Sequence, residues 1–463
     1  MWKNVRKKFI GDKAFYKMVL LIAVPIMIQN GITNFVSLLD NIMVGQIGTE
    51  QMSGVAIVNQ LMFVYNLCIF GGLSGAGIFT AQYFGQKDEE GVRHTFRYKI
   101  WMAVILTILA VGVFLVGGES LISNYLNGSS DGGDLAAALH YGKQYLWVAL
   151  AGLPAFMMVQ VYASTLRECG ETLVPMKAGI TAVLVNLVLN YILIYGKFGM
   201  PALGVVGAGL ATVISRYVEM AIVLTWTHRH TDRNPYIVGL YRTLKVPGYL
   251  VTRFIIKGAP LLVNETLWAA AQASLMQCYS VRGLSVVAAF NIASTIANLF
   301  NVVFIALGDS VAIVVGQQLG AGRMEEARDT DNKMIAFSVM CCTAVALVML
   351  LIAPLFPRLY NTDPGTRQLA AWLIMAQAIF MPQNAFLHAA YFTLRSGGKT
   401  LVTFFFDSVF VWIVSVPIAF VLSRYTTMFV VFIFACVQIG DWLKCIIGFV
   451  LVKKGVWMQN IVA

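Results

Sequence analysis

The sequence contains few charged residues. Asp, Glu, Lys and Arg make up 12% of its 463 residues, against about a quarter in typical soluble domains. Hydrophobic residues make up 59%, and the mean hydropathy is +0.75. This composition excludes an ordinary soluble domain and predicts an integral membrane protein.

Motifs for metal, redox or catalytic chemistry are also missing. The seven cysteines have neither the paired spacing of a zinc site nor that of a disulfide framework. The string SGGKT, which ends at Thr400, resembles the end of a phosphate loop, but Thr393 stands where the first glycine of that motif is required. No HExxH or nucleophile motif is present. We therefore expect no enzyme, no cofactor and no nucleotide-driven step.

The apolar runs predict an all-α fold. Each is long enough to cross about 30 Å of hydrocarbon as a helix of roughly 20 residues, and the short alternating pattern of a β-barrel is absent. We expect twelve continuous helices, at 16–41, 54–82, 97–119, 137–164, 174–196, 203–227, 250–280, 285–315, 332–356, 367–393, 400–423 and 427–452. The first run is too long for a signal peptide and lacks a cleavage site, so it is predicted to be the first span.

The basic residues that give the net charge of +11 indicate how the chain is oriented in the membrane. Most Lys and Arg residues lie in both termini and in alternate loops, which is the positive-inside pattern and places both termini in the cytoplasm. Nucleic-acid binding is therefore not expected, and the bilayer is the expected surrounding.

The two halves of the chain repeat each other. GLSGAGIFTAQYFGQKDEEGVR, which begins at Gly72, matches part of ALGDSVAIVVGQQLGAGRMEEAR, which begins at Ala306. The shift of 235 residues superposes Gln82 on Gln317 and also Pro25 on Pro260. STLRECGETLV matches FTLRSGGKTLV at a shift of 228. We predict two pseudo-symmetric six-helix lobes, 1–226 and 250–463, joined by a cytoplasmic linker, 227–249. Such duplication suits a transporter that rocks two lobes, although a channel or a purely structural duplication would have the same symmetry.

Polar side chains form stripes on several predicted helices. Because such stripes cannot face lipid cheaply, we expect them to line a cavity; the alternative is that amides and hydroxyls hold the helices together. The candidate cavity residues are Gln29, Asn30, Thr33, Asn34, Ser37, Asn59, Asn264, Trp268, Asn291, Asn298, Asn384 and His388.

Two carboxylates are the principal functional candidates. A charge at membrane depth costs a few kcal/mol even on insertion scales, so Asp40 and Glu265 are expected to bind the coupling cation together with Asn186 and Asn190. The cation that they bind would be either H⁺ or a Na⁺ ion near Asp40 or Glu265. Arg216 and Glu219 are expected to pair, and Asp309, Asp407, Asp441 and Lys444 to lie at the boundaries of their helices.

Taken together, the motifs resemble the multidrug and toxic compound extrusion (MATE) transporters of bacteria. The resemblance spans nearly the whole chain and is carried by VPIMIQNGITNFVSLLDNIMVGQIGTEQMSGVAI, NLVLNYILIYGKFGMPALGVVGAGLAT and FNIASTIANLF followed by GQQLGAGRMEEAR. NorM-like and DinF-like features are mixed: Glu265 matches the C-lobe glutamate of the first branch, whereas Asn384 replaces its second carboxylate and Asn190 replaces an aspartate of the second branch.

The resemblance implies two lobes arranged in a V, which export organic, cationic and amphipathic compounds from the bacterial cytoplasm across the inner membrane. It implies that Asp40 is the N-lobe coupling carboxylate, that Asn186 is its partner, and that Pro25 and Pro260 are helix kinks. Asp40 is favoured as the principal coupling residue, with protons preferred. We expect a monomer. The alternative function is a flippase for lipid-linked oligosaccharides or lipids, which would need a basic cavity, and Arg216 is the only basic residue predicted well inside a helix.

Overall fold

A computed structural model describes residues 9–126, 134–360 and 362–463. Within these ranges the chain is helical and contains no strand, as the sequence predicts. The long helices are α1 Lys13–Gly45, α2 Thr49–Gln86, α3 Glu89–Leu126, α4 Leu135–Leu150, α5 Leu153–Glu168, α6 Leu173–Tyr195, α7 Gly204–Arg229, α8 Gly248–Ser280, α9 Leu284–Gly320, α10 Met324–Ile352, α11 Pro364–Ser396, α12 Thr400–Tyr425 and α13 Val430–Lys454. Short 3₁₀ turns occupy Pro235–Ile237, Leu240–Arg242 and Phe356–Leu359.

By length and composition, ten of the described helices can cross a membrane, and the bent pair α4 and α5 supplies an eleventh span. Helix α8 is long enough at 33 residues. It falls outside this set because polar residues such as Asn264, Glu265 and Gln272 lower its hydropathy. The all-α, many-span fold is therefore confirmed.

Two predicted helices are not continuous α-helices. The predicted helix 137–164 breaks between α4 and α5, which meet at an angle of 50°. Gly152 precedes α5 and Pro154 lies in its first turn, where proline has no backbone N–H to continue the preceding helix. The predicted helix 400–423 contains two π-helical turns, Phe405–Val409 and Val411–Ser415.

Helix ends have local causes. The Asp134 side chain accepts hydrogen bonds from the backbone N–H groups of Ala136 and Ala137 at the start of α4. Gly196 ends α6 with a left-handed φ of 66°, a conformation that glycine adopts without steric cost. Pro25 and Pro260 lie inside α1 and α8, where neither can donate a backbone hydrogen bond.

The chain divides into two compact units. The N-unit comprises Ile28–Thr80 and Glu89–Arg253, and the C-unit comprises Met1–Met27, Ala81–Asp88 and Phe254–Ala463. The predicted lobe boundaries at 226 and 250 stay a prediction.

In the N-unit, side chains of α3 hold the segment that follows α7. Arg93 donates to the Tyr236 carbonyl at 3.2 Å, and Arg97 donates to the carbonyls of Leu240 and Gly239 at 3.0 Å each. Hydrogen bonds from charged donors are stronger than those from neutral donors, so these two arginines hold the segment against α3.

In the C-unit, the repeated motifs meet reciprocally. A Cβ atom on Gly85 would lie 1.9 Å from the Gln317 carbonyl oxygen, and one on Gly320 would lie 1.9 Å from the Gln82 carbonyl oxygen. Only glycine permits this approach. The Gln82 side chain also donates to the Ser396 and Gln459 carbonyls and accepts from the Ile461 N–H, which fixes the C-terminal segment there.

Candidate functional site

The Asp40 carboxylate of α1 binds asparagines of α6. Asn190 Nδ2 lies 2.6 Å from Asp40 Oδ1 and 3.1 Å from Asn186 Oδ1. Both asparagines are buried, at 1% and 6% exposure respectively. They are four residues apart and therefore share one face of α6. The structure thus brings together three of the four residues predicted to couple transport to a cation.

The Asn186 amide reaches Asp40 only in the opposite orientation, in which its oxygen no longer accepts from Asn190 Nδ2. With its nitrogen and oxygen exchanged, the nitrogen lies 3.0 Å from Asp40 Oδ1 and 3.2 Å from Oδ2. Both asparagines then face the carboxylate with N–H donors, which stabilise its charged form.

A cavity of about 500 Å³ adjoins this cluster inside the N-unit. Its polar lining includes Asp40, Asn59, Asn190, Thr212 and Arg216, and its apolar lining includes Met and Phe side chains. This combination of apolar surface with a few placed polar groups is typical of small-molecule sites. The residues that line it are Asp40, Val44, Val55, Ala56, Asn59, Gln60, Met62, Phe63, Asn66, Tyr145, Ala149, Gly152, Leu153, Phe156, Asn190, Ala208, Thr212, Val213 and Arg216.

Arg216 adds a positively charged side chain to the cavity, whereas the sequence predicts for it only an ion pair with Glu219. The predicted ion pair is confirmed, because Arg216 Nη1 lies 2.9 Å from Glu219 Oε2. The guanidinium also lies 5.4 Å from the centre of the Phe156 ring and borders the same cavity as Asp40. A three-residue spacing on one helix predicts the pair but cannot show which space the arginine faces.

Only one of the predicted N-lobe cavity residues with a described side chain borders this cavity. Asn59 lines it and accepts a hydrogen bond from Tyr145 Oη at 3.2 Å. Gln29 instead accepts from Arg167 at 3.0 Å, and Thr33 donates to the Gln29 carbonyl of its own helix. Asn30 and Asn34 lie on α1 outside the lining. The backbone of Ser37 lies in α1, but its side chain is outside the described residues.

In the C-unit, Asn264 is part of a polar junction between helices. Asn264 Nδ2 donates to Asp407 Oδ2 at 3.1 Å, and Lys444 Nζ donates to Asp407 Oδ1 at 2.7 Å. Glu265 is partly buried beside this junction and interacts with Tyr391 and Arg395. Boundary roles for Asp407 and Lys444 were therefore wrong, as was the inference that Arg216 is the only interior basic residue. Lys444 is ten residues from the end of α13, about 15 Å along the helix.

The other predicted C-lobe cavity residues are dispersed. His388 packs against Phe304 and Phe392, and its buried Nε2 has no hydrogen-bond partner among the described residues. Asn384 is partly buried one turn before it on α11. Asn291 and Asn298 are exposed on one face of α9, and Trp268 is 36% exposed.

A duplicated helical membrane chain with an acidic site beside a ligand-sized cavity has the features of a small-molecule transporter. The MatE family model matches residues 25–192 and 260–421. The chain therefore belongs to the MatE family, whose members are membrane transporters and not enzymes, and the resemblance of its motifs is confirmed.

Individual relatives agree in length and fold. The chain is 28% identical over 410 residues to the multidrug resistance protein MdtK of Pectobacterium atrosepticum, covering 87% of this chain and 86% of that one. It is 25% identical to the probable multidrug resistance protein NorM of Bacillus subtilis, over 99% and 96% of the two chains.

Solved structures share the fold. An outward-facing multidrug resistance MATE transporter matches with a TM-score of 0.85 at 21% identity, over 96% of each chain. A MOP superfamily transporter from Pyrococcus furiosus matches with a TM-score of 0.83 at 20% identity, over 97% of each chain. The bacterial relatives and the apolar helices together indicate a multi-pass protein of the bacterial inner membrane.

Proposed function

We propose that this protein exports organic cations from the cytoplasm in exchange for an inorganic cation, with Asp40 as the group for which the two compete. The single observation that carries the proposal is the Asp40 carboxylate, held by Asn190 at 2.6 Å, on the wall of a cavity of about 500 Å³. The similarity to proteins named for multidrug resistance supports export of drug-like compounds.

The exchange follows from charge balance. A carboxylate removed from bulk water is expensive to leave unpaired, so an organic cation in the cavity is bound most tightly while Asp40 is negative. Binding of H⁺ or Na⁺ to Asp40 removes that charge, and the organic cation loses its counter-charge and leaves. We assign the proton as the preferred coupling ion. Asn190 presents an N–H donor to Asp40 Oδ1, so this amide supplies no oxygen ligand for Na⁺ there, whereas a proton needs only the carboxylate oxygen itself.

Alternating access would come from movement of the two lobes, with bending of α1 near Pro25, and both termini would remain in the cytoplasm. The protein would act as a monomer. None of these steps requires a second carboxylate in the same cavity, so Asp40 serves both ligands in turn.

The flippase alternative is less well supported. A phosphate-bearing lipid needs free positive charge in its site, whereas Arg216 in the cavity is paired with Glu219 at 2.9 Å. Lys444 and Lys99, which are also buried basic residues, are paired with Asp407 and Glu168 respectively.

Reconstituted efflux tests the proposal. Proteoliposomes loaded with a fluorescent organic cation are given an inward pH gradient or an inward Na⁺ gradient, and efflux is recorded for the wild type, Asp40→Asn and Asp232→Asn. Asp232 is an exposed carboxylate of the segment after α7 and serves as the matched control. We expect gradient-driven efflux to be lost in Asp40→Asn and kept in Asp232→Asn. Efflux by Asp40→Asn at the wild-type rate would refute the role of Asp40, and translocation of a labelled anionic lipid instead of the dye would favour the flippase.

A further inference from the structure

The C-unit contains a second acidic site, organised by an irregular stretch of α12. The π-helical turn Phe405–Val409 carries Asp407 and Ser408. Such turns insert an extra residue into the helix and frequently occur at functional sites. Here the turn presents two consecutive polar residues to Asn264 of α8.

Asn264 is fixed in one orientation by these contacts. Its Oδ1 accepts from Ser408 Oγ at 2.7 Å and from the Ser408 N–H at 3.3 Å. Its amide nitrogen must therefore face the other way, and it lies 3.1 Å from Asp407 Oδ2. One oxygen of the carboxylate is thus taken by an N–H donor, and Asn264 is 1% exposed.

The other oxygen is taken by an ammonium group. Lys444 Nζ lies 2.7 Å from Asp407 Oδ1 and 5.2 Å from the centre of the Phe406 ring, and the residue is 7% exposed. A lysine at this depth is costly unless it is paired. Its partner is the Asp407 carboxylate.

Further ionisable groups face this pair from neighbouring helices. Asp441 of α13 accepts from Ser415 Oγ at 3.0 Å and interacts with Lys444. Glu265 of α8 interacts with Arg395 and Asp407, and His388 of α11 interacts with Asp407 and Lys444. Three carboxylates therefore share the region with two cations. Removing the charge of Lys444 would leave two negative charges in excess.

We propose that Lys444 is a tethered cation that occupies the Asp407 site and excludes metal cations such as Na⁺ from the C-unit. A metal ion needs oxygen lone pairs, whereas Asp407 is surrounded by hydrogen-bond donors, and Na⁺ would have to displace a covalently attached ammonium. Lys444 is thus a specificity-determining residue for the coupling ion. The inference extends the proposed antiport function by restricting its ion to the proton in this unit.

Ion binding to purified protein tests this without transport. Thermal unfolding and calorimetric titration are compared in NaCl and in KCl at equal ionic strength for the wild type, Lys444→Met, Lys444→Met with Asp407→Asn, and Lys453→Met. Lys453 is an exposed lysine on the same helix and is the matched control. We expect the wild type and Lys453→Met to behave alike in the two salts. Lys444→Met should gain a saturable, Na⁺-specific rise in Tm, which the additional Asp407→Asn substitution removes.

Three results would overturn the proposal. The first is saturable Na⁺ binding by the wild type that Asp407→Asn abolishes. The second is a folded Lys444→Met protein with no Na⁺ response. The third is failure of both Lys444→Met and Lys444→Gln to fold in either salt, which would make the lysine purely structural. Folding of Lys444→Met in NaCl but not in KCl would support it. Because these measurements do not involve Asp40, a negative result here is distinct from failure of the proposed function, which would be efflux by Asp40→Asn at the wild-type rate.

Discussion

At the scale of single residues, Asp40 depends on two amides for its stabilisation. Asn190 donates at 2.6 Å and Asn186 reaches both carboxylate oxygens when its amide is turned. Hydrogen bonds to a charged group contribute about 1.5–3 kcal/mol. Under the proposed function, the two asparagines therefore set how readily the carboxylate exchanges one cation for another.

Replacing Asn190 with leucine should weaken coupled efflux. Loss of a charge-assisted hydrogen bond worth about 1.5–3 kcal/mol corresponds to a change of roughly 10- to 150-fold in an equilibrium constant. We therefore expect the concentration of organic cation that gives half-maximal efflux to rise by up to that factor. Thr181→Ala, at an exposed position of the same helix, should leave it unchanged. Equal values for wild type and Asn190→Leu would mean that this amide only packs.

Arg216 and Glu219 should behave as a coupled pair. Arg216→Gln leaves the Glu219 carboxylate, whose side chain is 5% exposed, without its cation, and we expect a loss of about 1–3 kcal/mol in the free energy of unfolding. The double substitution Arg216→Gln with Glu219→Gln should recover part of that loss, measured by denaturant unfolding in detergent. Strictly additive effects would contradict the pairing.

At the scale of helices, the glycines that follow α6 have different surroundings. Gly196 has a φ of 66°, and a Cβ there would lie 2.6 Å from the Ala202 nitrogen. Gly199 has a φ of 82° but has no heavy atom within 4 Å of the corresponding Cβ position. Comparison of the two glycines therefore separates the energetic cost of a left-handed backbone, which both share, from the cost of a steric clash, which only Gly196 would have.

Gly196→Ala should lower the Tm more than Gly199→Ala. Both substitutions incur the penalty of about 1–2 kcal/mol for a left-handed L-residue, whereas only the first also forces Ala202 to move. Thermal unfolding in one detergent measures the difference. A larger effect at Gly199 would show that the turn does not have the described geometry.

Helix-scale features differ in how far the sequence predicts them. Apolar runs and the Gln82–Gln317 repeat predict the helices and the duplication, because both depend on residues close in sequence or on periodic pattern. The break between α4 and α5 was missed although Gly152 and Pro154 mark it locally. The π turn at Asp407 was missed because its contacts with Asn264 and Lys444 join residues far apart in the sequence. The same reason explains why the Lys444–Asp407 pair, which joins two helices, was taken for two boundary residues.

At the scale of the whole molecule, the repeat makes a strong prediction about the crossing of α2 and α9 in the C-unit. Gly85→Ala and Gly320→Ala each place a Cβ 1.9 Å from a backbone carbonyl oxygen, and backbone cannot move aside as a side chain can. We expect both variants to lower the Tm substantially and by similar amounts, because the two contacts are equivalent.

A third variant, Gly117→Ala on α3, is the matched control because nothing lies within 4 Å of its Cβ position. It should be neutral or slightly stabilising, since alanine is the better helix former. Combining Gly85→Ala with Gly320→Ala should cost less than the sum of the single changes, as one separation of the helices relieves both clashes. A large effect at only one of the two glycines would contradict the equivalence.

This crossing also bears on the origin of the chain. Each glycine lies against the carbonyl of the glutamine three residues before the matching glycine of the other copy, so the contact is self-complementary in the manner of a two-fold interface. A half-length ancestor carrying one copy of the motif would have formed both contacts by pairing with a second molecule of itself. Fusion of two gene copies would then have preserved an existing homodimer interface. Later divergence would have placed Asp40 in one half and Lys444 in the other without disturbing that interface.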